Sequence, residues 1–210
     1  MRILGAVIAG GQSTRMGAAD KLALPWEGRT LVAHVAARLA AQLPELHGVV
    51  VNISRDKAKL LPKDIPIVPD AKQRMAGPLA GLEAVMKHGT DHGFTHVLTC
   101  AGDTPFLPGD LVERLTQARG EVRILRTGVY PQPLFAMWPV ALGGDLCDFL
   151  DEGQTFKVMA FAKRYDLEMV DVPAANGIDP FFNINTPEDL QEAHSLIKQA
   201  QATKTVTQNV

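Results

Sequence analysis

Short apolar runs recur along this chain, each followed by a helix-length amphipathic stretch, and that alternation admits few folds. A strand buried on both faces needs a covering layer on each side, and an intervening helix returns the chain for parallel pairing. Residues 3–9 read as such a strand, ending in Gly10-Gly11. Thr30 caps a helix in which Leu31, Val35, Leu39 and Leu43 recur at helical spacing. Residues 49–53 and 65–68 predict a second and a third strand, the latter set among prolines. Pro78 opens a helix to about Lys87, residues 96–99 form a buried strand, Asp110 sits in the first turn of a further helix, and residues 122–127 return as a strand.

Beyond residue 127 the rhythm breaks. Residues 128–133 predict a turn-rich loop and residues 134–138 a strand running antiparallel. Two short helices (142–150 and 156–163) and a late strand (167–172) follow. Thr186 as cap and Pro187 as first helical residue start the final helix. From about Ala202 the chain is polar and aperiodic, so residues 1–200 read as a single domain and residues 201–210 as a disordered tail. The expected class is α/β: a Rossmann-like three-layer sandwich, with a mostly parallel sheet and helices on both faces.

The 210 residues suffice to bury a core without disulfides. A formal net charge of −2 leaves no basic footprint, which argues against nucleic acid or an anionic membrane as partner. Cys100 and Cys147 stand far apart and read as reduced thiols of a cytoplasmic protein. The N-terminal apolar run is too short for a signal peptide, and no stretch reaches the length of a membrane span. His88 and His92 share a helical face without a third ligand, the pattern of a solvated helix end.

The most informative string is residues 8–21, Ile-Ala-Gly-Gly-Gln-Ser-Thr-Arg-Met-Gly-Ala-Ala-Asp-Lys. A buried strand delivers Ile8 and Ala9 to Gly10 and Gly11, where the backbone can turn sharply and come close to a ligand. Successive N–H groups in such a turn bind anions, Ser13 and Thr14 add hydroxyls, and Arg15 and Lys21 add positive charge. Together they describe a triphosphate cradle. Lys21 lies too far from Gly17 for a Walker loop, and no G-x-G-x-x-G is present.

Asp103, in Gly102-Asp103-Thr104-Pro105, follows a buried strand and falls on the carboxyl edge of the sheet, where open α/β folds bind ligands. Magnesium is commonly held there by one or two carboxylates plus substrate phosphates. A turn-forming or capping role for Asp103 is the plainer alternative; its pairing with the first loop favours the metal. Asp70 occupies another edge position. Asn52, polar inside an apolar strand, needs a hydrogen-bond partner.

The 8–21 string resembles the signature of nucleotidyltransferases built on a Rossmann-like sheet, and with Gly10-Gly11 and Asp20-Lys21 it is most similar to molybdenum cofactor guanylyltransferases. Ile8 stands where Leu is usual. The resemblance implies that Ile8, Ala9, Gly10, Lys21, Asn52, Asp70 and Asp103 contact the guanine nucleotide, and that the glycines of residues 77–82, Gly77 first, allow close approach near the base. Residues 182–190 resemble the family's closing motif. Asn185 stands where related transferases often carry Asp, so its carbonyl is a possible second metal ligand; Asn183 and Asn185 are also candidates for acceptor binding, or simply satisfy backbone groups before the helix cap. Lys157 is a further acceptor-side candidate, with a solvated helix face as the alternative. The Tyr130-Pro131 stretch matches a substrate-side loop loosely.

The implied reaction is attack by an acceptor phosphate on the α-phosphorus of GTP, with Mg2+ as cofactor (Mn2+ able to substitute) and pyrophosphate leaving. A phosphate monoester has a second pKa of about 6, so no general base is required, and the protein is left to position and neutralise. Arg15, Lys21 and Asp103 are the expected catalytic residues. The implied partners are GTP and molybdopterin-bound molybdenum cofactor, with proteins that deliver or receive the cofactor. The competing readings are a cytidylyl- or uridylyltransferase of the same fold and a non-catalytic nucleotide-binding regulator.

Overall fold

The computed structural model describes residues 1–10, 20–42, 46–70, 76–174 and 177–207. Its frame is a six-stranded sheet of order β4-β1-β5-β7-β6-β8. The strands are β1 (Ile3–Ile8), β4 (Val49–Asn52), β5 (His96–Ala101), β6 (Val122–Thr127), β7 (Tyr130–Pro139) and β8 (Leu167–Asp171). β1 pairs in parallel with β4 and β5, and β6 with β8. β7 is antiparallel to both its neighbours, as residues 134–138 predict. This is the expected Rossmann-like class.

Alternation along β1 shows how the layers form. Ile3 and Val7 point into a core shared with α1 (Leu31–Ala40) and α3 (Leu111–Gln117), while Leu4, Ala6 and Ile8 point into the opposite core. That second core is covered by α2 (Pro78–Asp91), α4 (Gly143–Glu152) and α5 (Val158–Ala162). A third cluster joins the small hairpin β2 (Pro25–Trp26) and β3 (Arg29–Thr30) to the final helix α6 (Pro187–Thr207). There Trp26 stacks on His194, with ring centroids 4.8 Å apart and planes 10° from parallel, and meets Phe106 edge-on. Glu27 and Gly28 both take positive φ at the hairpin tip, as a tight turn between paired strands requires.

Several sequence expectations hold at residue level. Thr30 caps α1 by accepting from Ala33 N–H at 3.3 Å. Thr186 Oγ1 accepts from Asp189 N–H at 3.1 Å, and Asp189 Oδ2 accepts from the Asn185 and Thr186 N–H groups at 2.8 Å, a reciprocal cap on α6.

Two expectations need correction. Residues 65–68 do not form a full strand: they make one isolated parallel bridge, Val51 to Ile67, because Pro66 and Pro69 remove donors a ladder would use. Residues 128–133 are not a long loop. The turn is only Gly128-Val129, with Gly128 at φ +57°, and β7 begins at Tyr130. Pro131 and Pro133 are tolerated because β7 pairs with β5 only from Ala136 onward, so its first half is bonded on the β6 side alone. The final helix α6 runs to Thr207, and residues 208–210 lie outside the described residues. Among the described residues no helix is long and apolar enough to cross a membrane.

Candidate active site

The carboxyl ends of β4, β1 and β5 lie side by side, and the candidate residues collect on that edge. Ala9 N–H bonds Asn52 O at 2.9 Å and Gly102 N–H bonds Ile8 O at 3.0 Å, so the chain segments leaving the three strands stay paired as they enter the site.

On the β5 side, Lys21 opens a single 3-10 turn, Lys21–Ala23, capped by Asp20, whose carboxylate accepts from Leu22 N–H at 3.1 Å and holds Lys57 Nζ at 3.0 Å. The turn aims the Lys21 ammonium at Asp103 Oδ2, 2.5 Å away, and at Asn185 Oδ1, 2.9 Å away. The Lys21 and Asp103 side chains are mostly shielded from solvent. Two hard oxygen donors on one cation form a set that suits a magnesium ion completed by phosphate oxygens. Asp103 and Asn185 therefore fit the metal role read from the sequence.

The Asp103 loop is held from two directions. On one side α1 presents His34 and Arg38 at helical i, i+4 spacing, and Gln42 follows in the turn just past its end. His34 Nε2 bonds Pro105 O at 3.1 Å, Arg38 donates to Leu107 O at 2.6 and 3.1 Å, and Gln42 donates to Pro108 O at 3.0 Å. Burial holds the His34 pKa below the ordinary histidine value, against the opposing pull of the Pro105 carbonyl and Glu27. On the other side Ile184 N–H bonds Asp103 O at 3.0 Å, and Thr104 Oγ1 donates to Asn183 Oδ1 at 2.6 Å. Sequence reading passed over this scaffold. The visible signal was a polar residue every fourth position on a helix otherwise patterned for the core.

On the β4 side Asn52 is fully buried. Its Nδ2 donates to Val68 O at 3.0 Å and to Asp70 Oδ1 at 2.7 Å, leaving Asn52 Oδ1 buried without a partner among the described residues. Two glycines make room for that amide. A Cβ on Gly10 would lie 2.9 Å from Asn52 Oδ1, and one on Gly81, within α2, only 2.3 Å from it. Gly77 caps α2 at φ +54°, a conformation that favours glycine. The exposed Asp70 carboxylate, anchored by Asn52, can accept hydrogen bonds from a ligand at this end of the edge.

Thus the structure groups Ile8, Ala9, Gly10, Lys21, Asn52, Asp70, Asp103, Asn183 and Asn185 along one edge. Gly77 starts the helix that carries Gly81 to Asn52. Gly11, Ser13, Thr14 and Arg15 of the expected cradle lie outside the described residues. Lys157 is exposed at the cap of α5 and makes no described contact with the Lys21–Asp103 group; its neighbour Val158 lines a small apolar cleft together with Ile8, Pro78 and Leu134.

Known proteins resemble this chain in sequence and in fold. Residues 5–166 match the MobA-like NTP transferase domain. The chain is 38% identical over 208 residues to the molybdenum cofactor guanylyltransferase of Rhizobium leguminosarum bv. trifolii, covering 95% of each chain. It is 36% identical to that of Cereibacter sphaeroides, covering 95% of this chain and 99% of the relative. Molybdopterin-guanine dinucleotide biosynthesis protein A of Archaeoglobus fulgidus shares the fold with a TM-score of 0.71 at 23% identity, over 93% of this chain and 99% of that one. A Mycobacterium tuberculosis protein solved in complex with manganese superposes with a TM-score of 0.63 at 14% identity, over 91% and 97% of the chains.

Proposed function

Because the chain belongs to the MobA-like NTP transferase family, we propose that it transfers GMP from GTP to the phosphate of molybdopterin-bound molybdenum cofactor. The observation that carries this reading is the convergence of Lys21, Asp103 and Asn185 beside the buried Asn52–Asp70 pair. One end offers a cation and oxygen donors for polyphosphate, the other a carboxylate for the N–H groups of a guanine edge.

In the proposed reaction an acceptor phosphate oxygen attacks the α-phosphorus of GTP. The new P–O bond forms as the bond from the α-phosphorus to the bridging oxygen breaks, and its electron pair leaves with pyrophosphate. The acceptor oxygen is already mostly ionised at neutral pH, so no side chain need remove a proton. Lys21 neutralises triphosphate charge and Arg15 joins it. Asp103 would hold the metal, with the Asn185 carbonyl as its companion ligand. When bound, Mg2+, or Mn2+ in its place, supplies Lewis-acid stabilisation of charge on the phosphates. Asp70, oriented by Asn52, supports guanine recognition by accepting from the base. Cys100 and Cys147 are reduced thiols, consistent with a cytoplasmic setting.

The test is to incubate the purified protein with magnesium, molybdenum-loaded molybdopterin and either GTP or CTP, reading pyrophosphate release and product mass. Dinucleotide formed with GTP and little with CTP supports the reading. Preferential use of CTP would keep the site and change the substrate.

A further inference from the structure

Thr104 follows Asp103 directly and is fully buried. Its hydroxyl carries one proton, and among the described residues the acceptor for that proton is Asn183 Oδ1, 2.6 Å away. The contact settles which way the Asn183 amide faces. A turned amide would set its NH2 group against Oγ1 and strand the hydroxyl proton in a buried place, an expensive arrangement. With Oδ1 tied to Thr104, both N–H bonds of Asn183 are left for other partners, on a residue that is itself exposed.

The backbone fixes where those donors stand. Ile184, between the two asparagines, is buried in the third cluster, and its N–H bonds Asp103 O at 3.0 Å. Asn183 therefore stands beside the loop that carries Asp103. Asn185, on its other flank, is tied to Lys21 through its own carbonyl oxygen. An exposed amide beside a centre that must gather anionic groups serves an anion only if it presents N–H rather than C=O. A freely turning asparagine would present both.

We propose that Thr104 is a positioning residue for the acceptor: its hydroxyl locks the Asn183 amide so that two N–H donors face an anionic oxygen of the acceptor phosphate. The proposal rests on the guanylyl-transfer reading and deepens it. Thr104 touches no substrate and acts through Asn183.

Steady-state transfer with the phosphorylated pterin acceptor varied at saturating GTP tests it. Thr104→Val, which keeps shape and removes the hydroxyl, is expected to raise the acceptor KM about fivefold, the scale of one neutral hydrogen bond, with kcat and the GTP KM unchanged. Thr104→Ser should restore the acceptor KM to within about twofold of wild type, since it returns the donor. In an Asn183→Ala background, where the acceptor KM is already raised about tenfold, Thr104→Val should add less than about twofold. Asn183→Asp gives an arm that does not require altering a buried site: a carboxylate still accepts from Thr104 but offers no N–H and adds negative charge, so the acceptor KM should rise more than in Asn183→Ala.

An unchanged acceptor KM in Thr104→Val, or an equal effect with and without Asn183, overturns the lock while leaving the transfer reading intact. An Asn183→Asp variant no worse than Asn183→Ala overturns the donor assignment. Absence of turnover in the wild-type protein refutes the transfer reading itself, and this proposal with it.

Discussion

Lys21 Nζ lies 2.5 Å from Asp103 Oδ2, although 82 residues separate them in the chain. The ammonium also reaches Asn185, so one lysine engages both oxygen groups assigned to the metal. In the proposed metal role, a cation would compete with the lysine for Asp103 until a triphosphate drew the ammonium away, which would couple metal binding to nucleotide binding. Lys21→Met should therefore bind Mn2+ in the absence of nucleotide about tenfold more tightly than wild type, equivalent to about 1.4 kcal/mol. It should also bind GTP more weakly. Calorimetric titration with Mn2+ alone checks the first point, and unchanged affinity contradicts the competition.

The lack of a Cβ at Gly81 is what lets α2 pack on Asn52. In Gly81→Ala the new methyl group would fall 2.3 Å from Asn52 Oδ1, so the amide must shift and take Asp70 with it. The expected outcome is a folded protein whose KM for GTP rises about tenfold, with a smaller change in acceptor KM. Parallel titrations of the two substrates separate these effects.

Trp26 ties the segment after Lys21 to α6 and to Phe106 of the Asp103 loop. Trp26→Ala should cost about 3–5 kcal/mol of stability, the range for removing a large buried aromatic. Urea unfolding measures it. A loss below about 1 kcal/mol would show that the third cluster does not support the site.

Burial lowers the pKa values of His34, His88 and His96 below the ordinary histidine value. Each depressed histidine favours the folded state above its unfolded pKa of about 6.5, and that contribution is lost as pH falls through the lower folded value. Thermal midpoints should therefore decline as pH drops below about 6.5. His34→Gln, able to keep a donor near Pro105 O, should make the decline shallower. A midpoint that rises on acidification over this range would contradict the sign.

Much of the frame was legible because β1, β4 and β5 are mostly apolar runs and the starts of α1 and α6 carry side-chain caps, at Thr30 and Thr186. Asp103 could be placed on the site edge from the strand preceding it. The β2–β3 hairpin was not legible, since strands of two residues have no periodicity to read. β7 was obscured by Pro131 and Pro133, which signal a loop unless one knows that β5 stops short of them. The links from Lys21 to Asn185, from Thr104 to Asn183 and from His34 to Pro105 join residues 71 to 164 positions apart, so only the folded chain brings them together.

The most direct test of the central claim compares wild type with Asp103→Ala in dinucleotide formation from GTP across a magnesium titration. Losing a metal-anchoring carboxylate removes several kcal/mol of charge stabilisation, so turnover should fall on the order of a thousandfold while circular dichroism and thermal unfolding show an intact fold. An Asp103→Ala protein that forms product at the wild-type rate, with the same magnesium dependence, would contradict the assignment of this site.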